Sequence, residues 1–187
     1  MAKKKPTQEE FPLERAFTFV ESGPVILVST WRRRKRNLMT VSCHASLGFE
    51  PTIGLVLGPW NHSYDALVET GECVIAIPPA SLMEAVVEIG NCSGAEVDKF
   101  KRFGLTPLPA SEVKAPLVAE CLRNLECRVV DREMASRHLF ILEGVKAWHN
   151  PLLPDQRTFH ANGDGTFVID GETINLRHKM TKWQDCI

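Results

Sequence analysis

The stretch NLMTVSCHASLGFEP, Asn37 to Pro51, sets Leu38, Met39, Val41 and Cys43 among Thr40, Ser42 and His44 and closes on Gly48 and Pro51. The alternation predicts a strand, and the glycine and proline end its ladder. On a single strand Thr40, Ser42 and His44 share one face by the two-residue period, which gives a wall of two hydroxyls and an imidazole. Such a wall suits a polar, planar ligand. A polar strand facing water has the same pattern.

Composition bounds what that strand can belong to. A chain of 187 residues with 44% hydrophobic and 24% charged side chains can build one good core, so a single domain over 1–187 is expected, with residues 1–10 as a mobile terminus. The formal net charge of -1 and pI near 6.6 argue against a general nucleic-acid binder or a polybasic membrane protein. No apolar run is long enough to span a bilayer and MAKKKPTQEE lacks the apolar segment of a secretory signal, so a cytoplasmic location is expected. Cys43, Cys73, Cys92, Cys121, Cys127 and Cys186 form no CxxC pair and no Cys/His ligand spacing. They read as reduced, mostly buried thiols with no metal site, Cys92 alone having the further option of a reactive thiol beside Ser93 and Gly94.

Upstream of the opening stretch, PVILVST (Pro24–Thr30) reads as a buried strand, and WRRRKR (Trp31–Arg36) as a hairpin tip. The tip is either solvated charge or an attractor for an anionic cofactor or the extra phosphate of NADPH. Downstream, TIGLVLG (Thr52–Gly58) is strand-like, and PWNHSYDALVETGE (Pro59–Glu72) reads as a short helix capped by Asn61 or Ser63 and stopped by Gly71. Beside such a helix start His62 and Ser63 can hold a phosphate, although capping alone explains the Asn and the Ser. CVIAIP (Cys73–Pro78) is the next strand, and two capping boxes, Ser81 with Glu84 and Ser93 with Glu96, announce two helices. Lys99 lies off the apolar stripe of the second, either solvated or pairing with a ligand's charge.

The remainder is strand-rich. Leu117–Met134, with one slip of phase, and Arg137–His149 make a long hairpin; Asn162 to Gly165 and Asp170-Gly171 give turns. The expected fold is mainly β with inserted helices, an antiparallel, Greek-key-like barrel.

Taken in order, NLMTVSCHASLGFEP, NHSYDALVETGE, GNCSGAEVDKF, RHLFILEGV and GDGTFVIDGETI resemble the flavin reductase-like FMN-binding split-barrel family, most closely its flavoredoxin branch. The resemblance implies a split β-barrel with noncovalent FMN. Asn37, Met39, Thr40 and Ser42 would line the isoalloxazine, Asn61, His62, Ser63 and Tyr64 would form a ligand-contacting loop and helix start, and Cys92, Ser93, Gly94, Asp98, Lys99 and Phe100 would close over the cofactor. His138 matches a histidine near the flavin and is the catalytic candidate, while Phe167 matches an aromatic cover. Cys43 stands where such sequences often carry tryptophan. The resemblance further implies electron transfer from NAD(P)H as a transient reductant, since no G-x-G-x-x-G loop provides a resident nucleotide site. It also implies a homodimer with FMN at the interface, and a flavin or a redox protein as acceptor. A flavin carrier without nucleotide reductase activity would use the same residues; a flavin-free nucleic-acid barrel lacks the interleaved aromatic and basic strands it would need.

Overall fold

The computed structural model of the chain describes residues 8–131 and 137–181. β1 (Glu9–Phe11) precedes a 3-10 segment over Leu13–Phe19, and β2 (Ile26–Arg32) and β3 (Lys35–Val41) form the basic-tipped hairpin. There follow β4 (His44–Ser46), β5 (Thr52–Val56), α1 (Tyr64–Thr70), β6 (Glu72–Ile77), α2 (Met83–Gly90), α3 (Lys99–Arg102), β7 (Pro107–Leu108) and β8 (Leu117–Val118). The long hairpin is β9 (Arg123–Asp131) with β10 (Leu139–His149), and β11 (Phe159–Ala161) pairs with β12 (Phe167–Ile169).

One antiparallel sheet runs β3, β2, β6, β9, β10, β5, β4, with β1 also on β10. Its two ends, β3 and β4, are neighbours in the chain, separated only by Ser42 and Cys43. A two-residue link spans at most about 11 Å. The sheet must therefore curl until its ends meet, and because β3 and β4 do not pair, the barrel stays split. Strand alternation then assigns the faces. Val28, Met39, Val41, Ile53, Leu55, Ile75, Leu125 and Leu142 fill the interior. Leu27, Leu38 and Ala76 point outward under Val86 and Ile89 of α2 and Phe100 of α3. Each such aliphatic side chain contributes roughly 1.5–3 kcal/mol when fully buried, so a slip of one residue would be costly.

This closure corrects the reading of one continuous strand through His44. The chain turns at Ser42–Cys43, where the Val56 N–H donates to the Cys43 carbonyl at 3.0 Å, and His44 then pairs with Leu55. Thr40, Ser42 and His44 thus do not form one wall. Ordered structure also begins before Phe11: the Gln8 side-chain amide donates to the carbonyls of Ala119 and Cys121, and Glu9–Phe11 pair with β10.

Neither expected capping box forms. Leu82 occupies the cap position of α2 without a side-chain bond, because a 3-10 turn over Ala80–Leu82 has already started the coil. Asp98 caps α3 by accepting the Lys101 N–H at 3.2 Å, while the Ser93 hydroxyl accepts from the Ala95 N–H in a local turn. Ser63 sits at the α1 cap position but its hydroxyl makes no capping bond. Gly71 does end α1, at φ +66°.

The slip of phase in the long hairpin is real, with register shifts between Ile141 and Leu142 and between Gly144 and Lys146. Gly144 is needed there: a Cβ would lie 2.8 Å from Leu125 and 3.0 Å from Pro51. The end of the expected first strand, up to Met134, lies outside the described residues. Asn162–Gly165 forms the expected turn between β11 and β12. Among the described residues no strand follows Asp170-Gly171; the Asp170 carboxylate instead accepts from Thr158 Oγ1 and bonds His160 Nε2 at 2.7 Å, and Nδ1 of the same ring bonds the Gly23 carbonyl. Among the described residues no helix is long and apolar enough to cross a membrane.

Candidate functional site

Hairpin β2–β3, the loop before α1 and the loop between α2 and α3 enclose a cavity of about 610 Å³. Asn37 is its centre. It follows Arg36 on β3, is 8% exposed, and donates from Nδ2 to Ser63 Oγ at 2.9 Å. That bond turns the amide oxygen the other way, and Oδ1 is buried with no partner. A buried acceptor left bare costs on the order of 1–3 kcal/mol, which a donor on a bound ligand would offset. Gly94 lies against the same carboxamide, and a Cβ there would collide with it.

Charge surrounds this acceptor. Arg32, Arg33, Arg34, Lys35 and Arg36 all line the cavity, as do His62, Glu96 and Asp98. Arg32 is held by Glu69 at 2.5 Å and Asp65 at 3.2 Å, which raise its pKa, the Glu69 bond foremost. Arg36 pairs with Asp98 at 3.1 Å and lies over the buried Phe100 ring, 5.2 Å from its centroid. Partial burial pushes the Asp98 carboxyl up, but the Lys101 N–H and the Arg36 guanidinium outweigh it and hold it below the usual range.

A second cavity, of about 220 Å³, opens on the other side of β3 between Val25, Thr40, Ser42, Val86, Ala161 and Phe167. Thr40 Oγ1 donates to the Val86 carbonyl at 2.5 Å, and Phe167 packs edge-on to Phe159 with ring centroids 6.0 Å apart.

The expected site residues therefore divide. Asn37, His62, Gly94 and Asp98 meet at the large cavity, with Ser63 bonded behind Asn37. Thr40, Ser42 and Phe167 meet at the small one. Met39 faces the barrel interior. Asn61 accepts from the Gly58 N–H, Tyr64 lies edge-on to Phe140, and the Cys92 thiol donates to the Ile89 carbonyl at 3.8 Å. Lys99 is only 5% exposed and donates to the Ile89 carbonyl at 2.8 Å; burial lowers its pKa and the nearby Cys92 opposes that. His138 lines neither cavity: its ring stands edge-on to Trp60 with centroids 4.6 Å apart, and its backbone sits at φ +59°.

Sequence reading missed Thr30, Ala66 and Val97 as cavity wall, since each looks like ordinary packing. It noticed the tip cations but not that they face the Asn37 cavity; the signal available was their distance of only one to five residues from Asn37 in the sequence. Among the described residues no group of His, Cys, Asp and Glu is placed to hold a metal ion.

Residues 21–164 match the family model described as flavin reductase like domain. The chain belongs to that family. An uncharacterised protein of Archaeoglobus fulgidus is 34% identical over 123 residues, 65% of this chain and 70% of that one. Among solved structures, the FMN-binding domain of a flavin reductases-like enzyme from Shewanella baltica superposes with a TM-score of 0.84 at 23% identity, over 92% of this chain and 99% of the other. Flavoredoxin of Desulfovibrio vulgaris gives 0.73 at 24%, over 94% and 96%. This flavin reductase-like domain therefore has the FMN-binding split-barrel fold, which agrees with the curled sheet and its unpaired ends.

Proposed function

We propose that this domain is a flavoprotein oxidoreductase that holds FMN noncovalently in the large cavity and passes electrons from NAD(P)H to a further flavin or to a redox protein. The observation that carries this reading is the bare Asn37 Oδ1, a buried acceptor on a cavity that the missing side chain of Gly94 keeps open. About 610 Å³ falls in the range of small-molecule and cofactor sites. A flavin's pyrimidine edge presents an N–H of the kind that oxygen lacks, and Ser63, by fixing the amide, sets which way the ring edge must face. His62 would meet the phosphate, with Arg36 sharing its charge with Asp98, while Lys99 is committed to the Ile89 carbonyl. Once bound, FMN supplies the hydride and electron chemistry, and the protein positions and shields it.

The same reading includes a homodimer sharing the flavin. The expected ligand residues are split between two cavities on opposite sides of β3, and Leu47, Phe49, Val56 and Trp60, around β4 and β5, leave 39–72% of their surface exposed. A two-fold contact would cover them.

The test is the visible spectrum of the protein with added FMN, followed by anaerobic mixing with NADH and NADPH. Flavin uptake with bleaching by a nucleotide is the expected result. Uptake without reduction by either nucleotide would leave an electron carrier, and no spectral change with excess FMN would end the reading.

A further inference from the structure

The hairpin tip carries more positive charge than the cavity walls use. Arg32 and Arg36 are engaged by carboxylates, but Arg33 reaches Glu69 only at 3.8 Å with 75% of its side chain exposed. The side chains of Arg34 and Lys35 are exposed and make no hydrogen bond or ion pair among the described residues. The backbone there is also costly. Arg32 pairs with Lys35, so Arg33 and Arg34 form a two-residue hairpin turn with φ of +48° and +64°. Such a turn favours Asn-Gly, and a non-glycine residue in the left-handed region costs roughly 1–2 kcal/mol. Two arginines stand where the turn would choose almost anything else, on the rim of a cavity.

We propose that Arg33, Arg34 and Lys35 recognise the 2′-phosphate of a phosphorylated nicotinamide dinucleotide and make NADPH the preferred reductant over NADH. This rests on the reading of the large cavity as the flavin site. Asn37 lies two residues beyond Lys35 on β3, so flavin and tip are roughly 7–13 Å apart along the strand. The tip is therefore at the rim while the flavin contacts are inside. Exposed cations make weak, screened contacts. Those suit a reductant that must arrive and leave, whereas a resident cofactor is better held by buried groups such as Asn37. The 2′-phosphate is the only charge that separates the two dinucleotides, and it adds up to two negative charges next to three cations that no carboxylate holds closely. Glu96, Asp98, Glu69 and Asp65 are the acidic groups nearby; Asp98, Glu69 and Asp65 are occupied by Arg36 and Arg32. In the reaction itself a hydride passes from the dihydronicotinamide to FMN and a proton comes from solvent, giving the oxidised dinucleotide and reduced FMN; the tip takes no part in that exchange.

The experiment uses the full chain and Arg33→Asn/Arg34→Gly, a pair that gives the turn its favoured residues and so should not lower stability. FMN affinity is measured by fluorescence quenching, flavin reduction by stopped flow with each nucleotide, and binding of 2′,5′-ADP and 5′-ADP by calorimetry. The wild type is expected to favour NADPH by about tenfold or more, the scale of one charge-assisted contact. In the variant that preference should fall to about twofold, with NADH kinetics and FMN affinity held, and Lys35→Gln should lie between. Raised salt should weaken NADPH more than NADH. Equal use of both nucleotides by the wild type, or a preference unchanged in the variant, overturns the proposal. So does a variant that loses FMN affinity, which would assign the tip to the flavin phosphate. If FMN fails to bind, the cavity reading falls separately, and the tip is then decided by whether 2′,5′-ADP binds more tightly than 5′-ADP and loses that advantage in the variant.

Discussion

Asn37 and His44 each keep a buried polar atom without a partner, Oδ1 in one and Nδ1 in the other, with different consequences. At Asn37, a residue of the cavity wall, the bare atom lies against Gly94, where a Cβ would collide with it. His44 is instead tied down through Nε2, 2.7 Å from the Pro24 carbonyl, and burial lowers its pKa although that bond opposes the shift. Folding thus favours the neutral ring, while the unfolded chain binds a proton below about pH 6.5. The unfolded state holds more protons in that window, so stability is complete above it and falls with pH towards the lowered folded value. Chemical unfolding about one unit above and one below pH 6.5 should show a steeper loss in the wild type than in His44→Gln. Parallel losses would remove His44 as the cause. Asn37 was legible because its motif is quoted whole in the sequence, but its missing hydrogen bond was not, since that depends on Ser63, 26 residues away.

At the scale of elements, the α2–α3 connection hangs on Lys99. The sequence places Lys99 off the apolar stripe, which reads as solvent or ligand; four residues of α3 are too few for a stripe to decide anything, and the side chain folds back under α2 to bond Ile89. Lys99→Ala should lower stability by about 1–3 kcal/mol, the cost of a lost charge-assisted bond to the Ile89 carbonyl and of lost stem packing, and weaken FMN binding by loosening the loop that carries Gly94. Lys99→Met should recover part of the stability but not the bond. Unchanged unfolding and FMN titrations in Lys99→Ala would return it to the solvated surface. The capping boxes failed as signals for a related reason: Ser81 and Ser93 have the right spacing, but 3-10 turns and an Asp98 cap reached the helix starts first. By contrast, the β2–β3 hairpin was readable because alternation and a charged tip are local facts.

For the whole molecule, the order of strands was not in the sequence pattern. Short apolar segments fix that there is a sheet, but its ends meeting at Ser42–Cys43 is a property of the full curl, which no window of residues contains. The family resemblance supplied that closure where periodicity stopped. Dimerisation belongs to this scale too. Strand β10 buries Phe140 and Leu142 in its own core, so the candidate contact is Leu47, Phe49, Val56 and Trp60. Light scattering across a dilution series should give twice the chain mass, held to lower concentration when FMN is present, because linkage is reciprocal. A monomer that binds FMN fully at every concentration would refute the shared site. The measurement closest to the central claim is an FMN titration of the wild type beside Gly94→Ala, followed by flavin fluorescence. Saturable quenching in the wild type with affinity at least about tenfold weaker in Gly94→Ala, whose new methyl must displace Asn37, is the expected result. Equal affinity in the two proteins, or no quenching in either, would contradict the assignment of this cavity to FMN.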